Sequence, residues 1–220
     1  TISGGTTVLA KAVGGAVRAL AHANTNLNAV ILLEGAGDDQ IYAQANLHME
    51  NGVLDLNGKA EGWNNLTGSG WITNRSASPA EFTLGQNNGN ATNWVNIIEG
   101  DGPISFRKAG TGVVTLSGTN SFSGGTVVTG GTLVVGSPWA LGGTNALQTW
   151  GFVNLNGFTQ AVSTLSGSRG GRVVNSNAAP AMLSVGGGDA SGRDWAGNLT
   201  GAGALLTLQK IGSGQIALPA

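Results

Sequence analysis

The sequence predicts an all-β fold in which short strands wind into a single elongated solenoid. Three features predict it: short apolar bursts that each follow glycine, a long internal repeat, and a shortage of charged residues. Within 108–137 the bursts are Val113–Leu116, Thr126–Val128 and Thr132–Val135. β-Branched residues favour strands, and the glycine before each burst lets the chain turn within a few residues. A helix of ordinary length does not fit between the bursts.

The chain repeats itself at a spacing of about a hundred residues. The segment "GDGPISFRKAGTGVVTLSG" at 100–118 returns as "GAGALLTLQKIGSGQIALPA" at 201–220, so that Lys108 matches Lys210. The six residues "VLDLNG" return in the same way as "FVNLNG". Repetition at a fixed period is typical of solenoids, in which each unit stacks on its neighbours.

We therefore expect one continuous solenoid over 1–220 rather than separate domains. Its first part, 1–50, is irregular, and two copies of the long unit follow at 51–150 and 151–220, the second of them incomplete. Each copy should hold four or five coils of about 20 to 25 residues, the usual size of a strand-based repeat. With strands about 4.8 Å apart, the whole chain would form a rod about 45 Å long.

Composition narrows the classes of function. Only 10% of the residues are charged, 39 are glycine, and the net charge is −1 with ten lysines and arginines spread thinly, so we expect no nucleic-acid partner. No apolar run approaches the length of about 18 residues that spans a membrane, so we expect no membrane insertion by this segment. The absence of cysteine excludes disulfides and thiolate metal sites, and no cofactor is expected.

A longer pattern covers 108–142: K-x-G-T-G-x-x-T-L-S-G-x-N-x-(F/Y)-S-G-G-T-x-V-x-x-G-T-L-V-V-G-x-x-x-(A/S)-L-G. It resembles the passenger-associated transport repeat of autotransporter proteins, almost position by position here and partially elsewhere. The resemblance implies a right-handed parallel β-helix displayed outside a bacterial cell. An extracellular or cell-surface location is thus what the resemblance implies, whereas composition is compatible with either compartment.

The two ends of the chain look like complementary halves of one motif. "KIGSGQIALPA" matches its first half, and "TISGGTTV" matches "SFSGGTVV" in its second half. A solenoid end is an unpaired strand edge, and neither end shows the polar, irregular cap that such ends normally carry. We expect head-to-tail stacking into a homopolymer, a heterologous contact that need not close into a ring. The alternative is a fragment of a longer passenger. The expected interface residues are Thr1, Ile2, Thr6, Thr7, Val8, Lys210, Ile211, Ile216 and Leu218.

The segment 8–24 departs from the pattern. It is rich in alanine, and an arginine and a histidine four residues apart suit a short helix. Two adjacent glycines in its middle each disfavour a helix by about 1 kcal/mol. We favour irregular strands there, with a helical insertion as the alternative, and we expect ordinary strands at 28–35 and 41–50.

The stretch "EGAGDDQIY" at 34–42 resembles one calcium-binding nonapeptide of RTX proteins, with Glu34 in place of the first glycine. Asp39 and the loop carbonyls would supply oxygen ligands, of which calcium takes about six to eight. The ion sits between successive turns, and no second copy of the nonapeptide follows. We therefore favour a Gly-Asp turn between strands.

Paired carboxylates are the candidates for a carbohydrate-active site. Glycoside hydrolysis needs two carboxylates about 5 to 10 Å apart. The candidates are Glu99, Asp101, Asp189 and Asp194, the last beside Arg193. Both pairs lie in glycine-rich segments, which favours turns over catalysis. No serine-histidine-aspartate or metal spacing surrounds His22 or His48, so we expect surface or packing roles for both.

Six tryptophans stand out in a chain with one tyrosine. Exposed indole rings stack on sugar rings and donate hydrogen bonds to hydroxyls. The candidate contacts to surface glycans or another partner are Trp63, Trp71, Trp139 and Trp150. The alternative for all six is packing at the edges or corners of the coils, which the recurrence of Trp94 and Trp195 with the repeat supports.

Asn57 and Asn156 stand in the two "LNG" turns. Asn-Gly is a strong turn signal, and asparagines at equivalent positions of successive coils can hydrogen-bond along the rod, as in the ladders of cross-β assemblies. We expect both to stabilise turns.

These observations favour a structural protein that is not an enzyme. The leading hypothesis is a bacterial extracellular solenoid that stacks on itself into a filament, or forms a stiff surface stalk for adhesion or a biofilm-like matrix. One alternative is a monomeric autotransporter passenger adhesin. The other is a β-helical enzyme that degrades polysaccharides.

Overall fold

The computed structural model describes residues 1–11, 24–93, 95–143, 145–186, 195–201 and 205–218, which form strands and no helix. The strands are β1 Ile2–Ala10, β2 Asn24–Glu34, β3 Asn46–Asp55, β4 Ala60–Trp63, β5 Asn65–Thr73, β6 Ala80–Leu84, β7 Ala91–Asn93, β8 Asn96–Ile97, β9 Ile104–Lys108, β10 Val113–Leu116, β11 Thr126–Val128, β12 Thr132–Val135, β13 Asn145–Thr149, β14 Phe152–Asn154, β15 Gln160–Gly167, β16 Arg172–Asn175, β17 Ala181–Val185, β18 Asn198–Gly201 and β19 Leu206–Lys210. The three bursts of the central motif are confirmed as β10, β11 and β12.

The strands form three parallel sheets that run along the rod. The five-stranded sheet has the order β1-β2-β3-β5-β8, the six-stranded sheet β18-β16-β14-β12-β10-β7, and the eight-stranded sheet β19-β17-β15-β13-β11-β9-β6-β4. Neighbours in each sheet come from successive coils, because the chain visits the other faces before it returns. The result is a β-solenoid of about nine turns, which confirms the predicted parallel solenoid.

The coils vary in length around the predicted size. Asn145 pairs with Val162, 17 residues further on, whereas Arg172 pairs with Asn198, 26 residues further on. The strands keep their places in the sheets while the connecting turns absorb the difference. Such variation is typical of solenoid repeats, whose insertions lie in the connecting loops.

The first coils turn a corner within a single strand. β1, β2, β3 and β5 contain 9 to 11 residues, and the pairing of the first three shifts register in mid-strand. A bulge of this kind bends a strand. β5 accordingly contacts two short strands of the next coil, β7 and β8, which belong to different sheets. One long strand of the early coils therefore spans two faces of the solenoid, which two separate short strands occupy in the next coil.

Of the two ordinary strands expected in this part of the chain, the structure confirms one and corrects the other. The strand expected at 28–35 is part of β2, but the one expected at 41–50 is wrong in its first half. Tyr42 and Ala45 close a turn there, in which the Ala45 N–H donates to the Tyr42 carbonyl at 2.8 Å. Most of the ambiguous segment 8–24 lies outside the described residues.

A continuous aromatic stack lies in the solenoid interior. Trp63, Phe82, Phe106 and Phe122 come from successive coils, and neighbouring rings are 5.0, 5.6 and 6.3 Å apart between centroids. All four are fully buried. Tilted contacts at these distances stabilise aromatic pairs, so the stack fixes the early coils to the central ones.

The two "LNG" turns have the same hydrogen bonds. Asn57 and Asn156 have φ of 48° and 49°, and each is followed by a glycine of positive φ. Their side-chain amides donate to carbonyls of the preceding coil, at 2.9 Å to Leu33 and 3.3 Å to Val135. Asn156 also accepts a hydrogen bond from the side-chain amide of Asn177 in the next coil, at 3.3 Å, so the expected amide contact along the rod is present at this turn.

Candidate functional site: the open edges of the solenoid

Each end of the rod presents strands with an uncovered edge. β1 is outermost in the five-stranded sheet, and β18 and β19 are outermost in the other two. All four residues of β18 and three of the five in β19 are exposed. Within the described ranges no strand pairs with the outer sides of these three. The free N–H and C=O groups of such an edge are a template for another strand.

The hydrogen bonds of β19 show which backbone groups lie at the open edge. The Leu205 carbonyl and the Ile211 N–H bond to the neighbouring coil at 3.0 and 2.8 Å. Backbone groups of successive strand residues point alternately to opposite sides of the strand. Those of Leu206, Leu208 and Lys210 therefore point to the uncovered side.

The residues expected at a stacking interface lie at these two ends. Val8 and Leu218 are exposed apolar side chains, 48% and 51% accessible, while Ile2 and Ile216 are half-buried against the core. The remaining members are Thr1, Thr6 and Lys210, which are exposed, and Thr7 and Ile211, which are half-buried. Both ends therefore combine a strand edge with a partly apolar surface.

The shared motif does not put the two ends on the same face. "TISGGTTV" matches the sequence around β11, but β11 pairs within the eight-stranded sheet, whereas β1 pairs with β2 in the five-stranded sheet. The reason is the long, bulged form of the early strands, which shifts the chain by one face relative to the later coils. The expectation that β1 is equivalent to β11 is therefore wrong.

Trp63 is one of the four tryptophans expected to contact a partner, and for this residue the expectation is wrong. Its side chain is 0% accessible and packs in the aromatic stack, so it contacts no ligand in this conformation. Trp71, Trp139 and Trp150 are exposed, at 45%, 59% and 42%. Trp195 is buried, which agrees with packing at a corner, and Trp94 lies outside the described residues. No sequence signal separated Trp63 from the exposed three.

Trp139 stands beside a shallow cleft of about 300 Å³, whose other lining residues are Pro138, Gly143, Thr159, Gln160 and Ala161. Gln160 is buried, and its amide is used by the protein itself. The nitrogen donates to the carbonyls of Ser137, Pro138 and Thr159, and the oxygen accepts from the Leu141 N–H. The cleft is an apolar platform with few free polar groups.

A second cleft, of about 250 Å³, is acidic; its lining includes Asp38, Asp39, Glu61 and Glu81. Glu61 accepts hydrogen bonds from the backbone N–H groups of Gln40 at 2.5 Å and of Ile41 at 3.1 Å. Burial raises the pKa of Glu61 to about 7. The carboxylate therefore attaches the 37–41 loop to the end of the eight-stranded sheet, a role that the sequence did not reveal.

The calcium-like stretch at 34–42 folds as a turn. Asp39 has a φ of 55°, its N–H donates to the Ala60 carbonyl at 3.1 Å, and Asp38 accepts from the Ala60 N–H at 2.8 Å. Across the described ranges, no three or more His, Asp or Glu side chains are placed to hold a metal ion.

Of the other candidate carboxylates and histidines, Glu99 and His48 have structural partners, Asp101 is exposed, and the remainder lie outside the described residues. Glu99 accepts from the N–H groups of Ile104 at 2.7 Å and Ser123 at 2.5 Å, which staples a turn. His48 lies 2.9 Å from the Thr67 hydroxyl and 3.7 Å from Glu50. The candidates outside the described residues are Asp189, Arg193, Asp194 and His22.

Comparison with known families adds one finding to this geometry. Residues 106–135 match the passenger-associated transport repeat. The matched stretch holds β10, β11 and β12 and part of β9, so it spans more than one coil. No curated protein and no solved structure matches the chain.

Repeat and fold together support an autotransporter passenger-type β-helix. The repeat belongs to a passenger-associated, structural family rather than an enzyme family, and it indicates a bacterial extracellular or surface protein. In the part of the chain that the structure describes, no helix is long and apolar enough to cross a membrane.

Proposed function

We propose that this chain is a structural, rod-forming module of a bacterial surface or secreted protein, and that it is extended by coil-on-coil stacking at its open edges into a filament or a stiff stalk. The observation that carries the proposal is the exposure of β18 and β19 at one end and of β1 at the other. Among the described residues, no strand pairs with the outer N–H and C=O groups of these strands, which point along the rod as the hydrogen bonds between the coils do. Extension repeats the parallel pairing that already joins the coils.

The surface of the rod suits this role. With 10% charged residues, it has few like charges to repel a second copy or a neighbouring rod. Charged residues and bulges that commonly protect edge strands are absent from β18, since Asn198–Gly201 carries no charge. Adhesion or matrix formation would follow from rods of this kind displayed at the cell surface.

Sedimentation velocity over a range of concentrations tests the proposal with a matched pair of variants. Leu208→Pro removes an N–H from the uncovered side of β19, whereas Leu208→Ala shortens the side chain and keeps the N–H. We expect wild type and Leu208→Ala to form species larger than one subunit, and Leu208→Pro to remain a folded monomer. A wild-type protein that is monomeric at every concentration contradicts the proposal.

A second candidate function is contact with surface glycans through Trp139. Its 59% accessible indole beside an apolar cleft is the specific observation that favours it, since flat apolar rings match the faces of sugars. Binding to a glycan array that is lost in Trp139→Ala and kept in Trp150→Ala would support it. Equal binding by both variants would count against this site.

A further inference from the structure

Four asparagines of this chain precede a glycine, and all four have the same backbone form. They are Asn51, Asn57, Asn88 and Asn156, with positive φ of 60°, 48°, 61° and 49°. Asparagine followed by glycine is prone to deamidation, because glycine has no side chain to hinder the ring closure that starts the reaction. The surroundings of each glycine nitrogen therefore decide how long each of these turns stays chemically intact.

Deamidation begins at the nitrogen of the glycine. Hydroxide removes its proton, and the nitrogen attacks Cγ of the asparagine side chain. The N–Cγ bond forms as the Cγ–Nδ2 bond breaks, and the amide nitrogen takes a proton from water and leaves as ammonia. Water then opens the resulting succinimide to aspartate or isoaspartate. Because only the deprotonated nitrogen attacks, a hydrogen bond that the glycine N–H donates slows the first step.

At two of the four sites, a buried asparagine of the next coil accepts that hydrogen bond. The Gly58 N–H donates to Oδ1 of Asn74 at 2.8 Å, and the Gly157 N–H donates to Oδ1 of Asn175 at 2.9 Å. Both acceptors are fully buried, and the amide nitrogen of each donates to two backbone carbonyls. These bonds fix the orientation of both amides, since a reversed amide would place NH₂ against the glycine N–H.

The third site has the same contact from the preceding coil. The Gly89 N–H donates to Oδ1 of Asn64 at 2.8 Å, and the amide nitrogen of Asn64 donates to Oδ1 of Asn46 at 3.2 Å. The side chain of Asn88 is held as well, because its Oδ1 accepts from the Thr111 N–H at 2.8 Å. Both reacting groups of this exposed turn are thus engaged with neighbouring coils.

Asn51 is different from the other three. It is exposed, and it lies at the shift of register in β3, where it has no partner in β2 or β5. Its Oδ1 accepts only a long hydrogen bond, at 3.4 Å, from the Ser69 hydroxyl. Among the described residues, no side chain accepts from the Gly52 N–H, in contrast to the glycines of the other three sites.

We propose that Asn51 is the deamidation site of this chain, and that the amide oxygens of Asn64, Asn74 and Asn175 protect the other three Asn-Gly turns. A hydrogen bond of ordinary strength slows each protected site about fivefold. Reaction at Asn51 adds a negative charge to β3, and isoaspartate also adds a carbon to its backbone. The inference does not depend on whether the rods stack.

Peptide mapping by mass spectrometry tests the choice of site in the wild-type protein. After incubation in mildly alkaline buffer, conversion at Asn51 should be at least about fivefold faster than at Asn57, Asn88 or Asn156. Equal rates at all four sites, or a slower reaction at Asn51, would overturn the assignment.

Two substitutions test the protection itself. Asn74→Ala should accelerate conversion about fivefold at Asn57 and leave Asn156 unchanged, whereas Asn175→Ala should do the reverse. Each substitution removes the same set of hydrogen bonds, so a general loosening of the rod would accelerate both sites in both variants. That result, or no acceleration in either variant, would refute the protective role.

Two further variants separate the acceptor from stability. Asn74→Asp keeps an oxygen against the Gly58 N–H but loses the donors, so Asn57 should stay protected although the fold is destabilised. Acceleration equal to that of Asn74→Ala would assign the effect to instability and refute the proposal. Asn64→Ala, at a half-buried position, makes the same test at Asn88 if the other variants fail to fold, which circular dichroism checks.

Discussion

Replacing Asn175 with alanine should destabilise the solenoid by a predictable amount. The side chain is fully buried, and its amide makes four hydrogen bonds to backbone. It accepts from the N–H groups of Gly157 at 2.9 Å and Asn177 at 3.2 Å, and donates to the carbonyls of Ala179 at 2.9 Å and Leu205 at 3.3 Å. One residue thus ties a turn to the coils on both sides.

The magnitude follows from the number of bonds. A net contribution of about 1 kcal/mol for each hydrogen bond gives a loss of about 3 to 4 kcal/mol in the free energy of unfolding. With a typical denaturant slope, this lowers the midpoint of urea unfolding by about 1 to 2 M. Asn175→Asp keeps the acceptor, but it buries a charge and puts a carboxylate oxygen against the carbonyls of Ala179 and Leu205, so its loss should be at least as large as that of Asn175→Ala.

Asn74 provides an internal control. Its amide makes the corresponding four bonds one long unit earlier, at 2.8, 3.2, 2.8 and 3.3 Å. Asn74→Ala should therefore cost about as much as Asn175→Ala. Urea unfolding followed by circular dichroism measures both. A loss below about 1 kcal/mol for either variant would refute the reasoning that these amides support the coils.

Three further predictions concern stability. Gly118→Ala should lower the unfolding midpoint clearly, because its Cβ would stand 2.1 Å from a backbone carbonyl of the neighbouring coil, whereas Gly170→Ala, with no atom nearer than 3.7 Å, should be near neutral. Burial raises the pKa of Glu61 from 4.5 to about 7, so the folded state favours the protonated side chain. The resulting stabilisation is complete below pH 4.5, and up to about 3 kcal/mol of it should be lost as pH rises through 7. Urea titrations should show that slope in wild type and not in Glu61→Gln. Trp63→Ala should cost about 3 to 5 kcal/mol, while Trp139→Ala should change stability by less than about 0.5 kcal/mol; equal losses would contradict their assigned burial.

The regular part of the fold could be predicted from the sequence. β10, β11 and β12 were predictable to the residue because each combines a β-branched burst with a preceding glycine that lets the chain turn. The first coils were not, because a bulge inside a long strand changes the face without leaving a glycine or proline signal. For the same reason, the match between the first residues and the sequence around β11 does not place β1 and β11 in the same sheet.

The burial and the partners of polar side chains also could not be predicted from the sequence. The repeat pairs Lys108 with Lys210, but only the folded structure shows that one is enclosed by carbonyls and the other is exposed. Glu61 is buried because the 37–41 loop crosses the end of its sheet, a contact between segments distant along the chain. Local patterns carry no information on such contacts, and the same holds for the burial of Trp63.

Electron cryomicroscopy of the purified chain over a concentration series tests the central claim most directly. We predict rods longer than the roughly 45 Å of one subunit, with the strand spacing of about 4.8 Å continuing without interruption through each junction. Particles that keep the length of one subunit at every concentration, or subunits that join side by side, would contradict it.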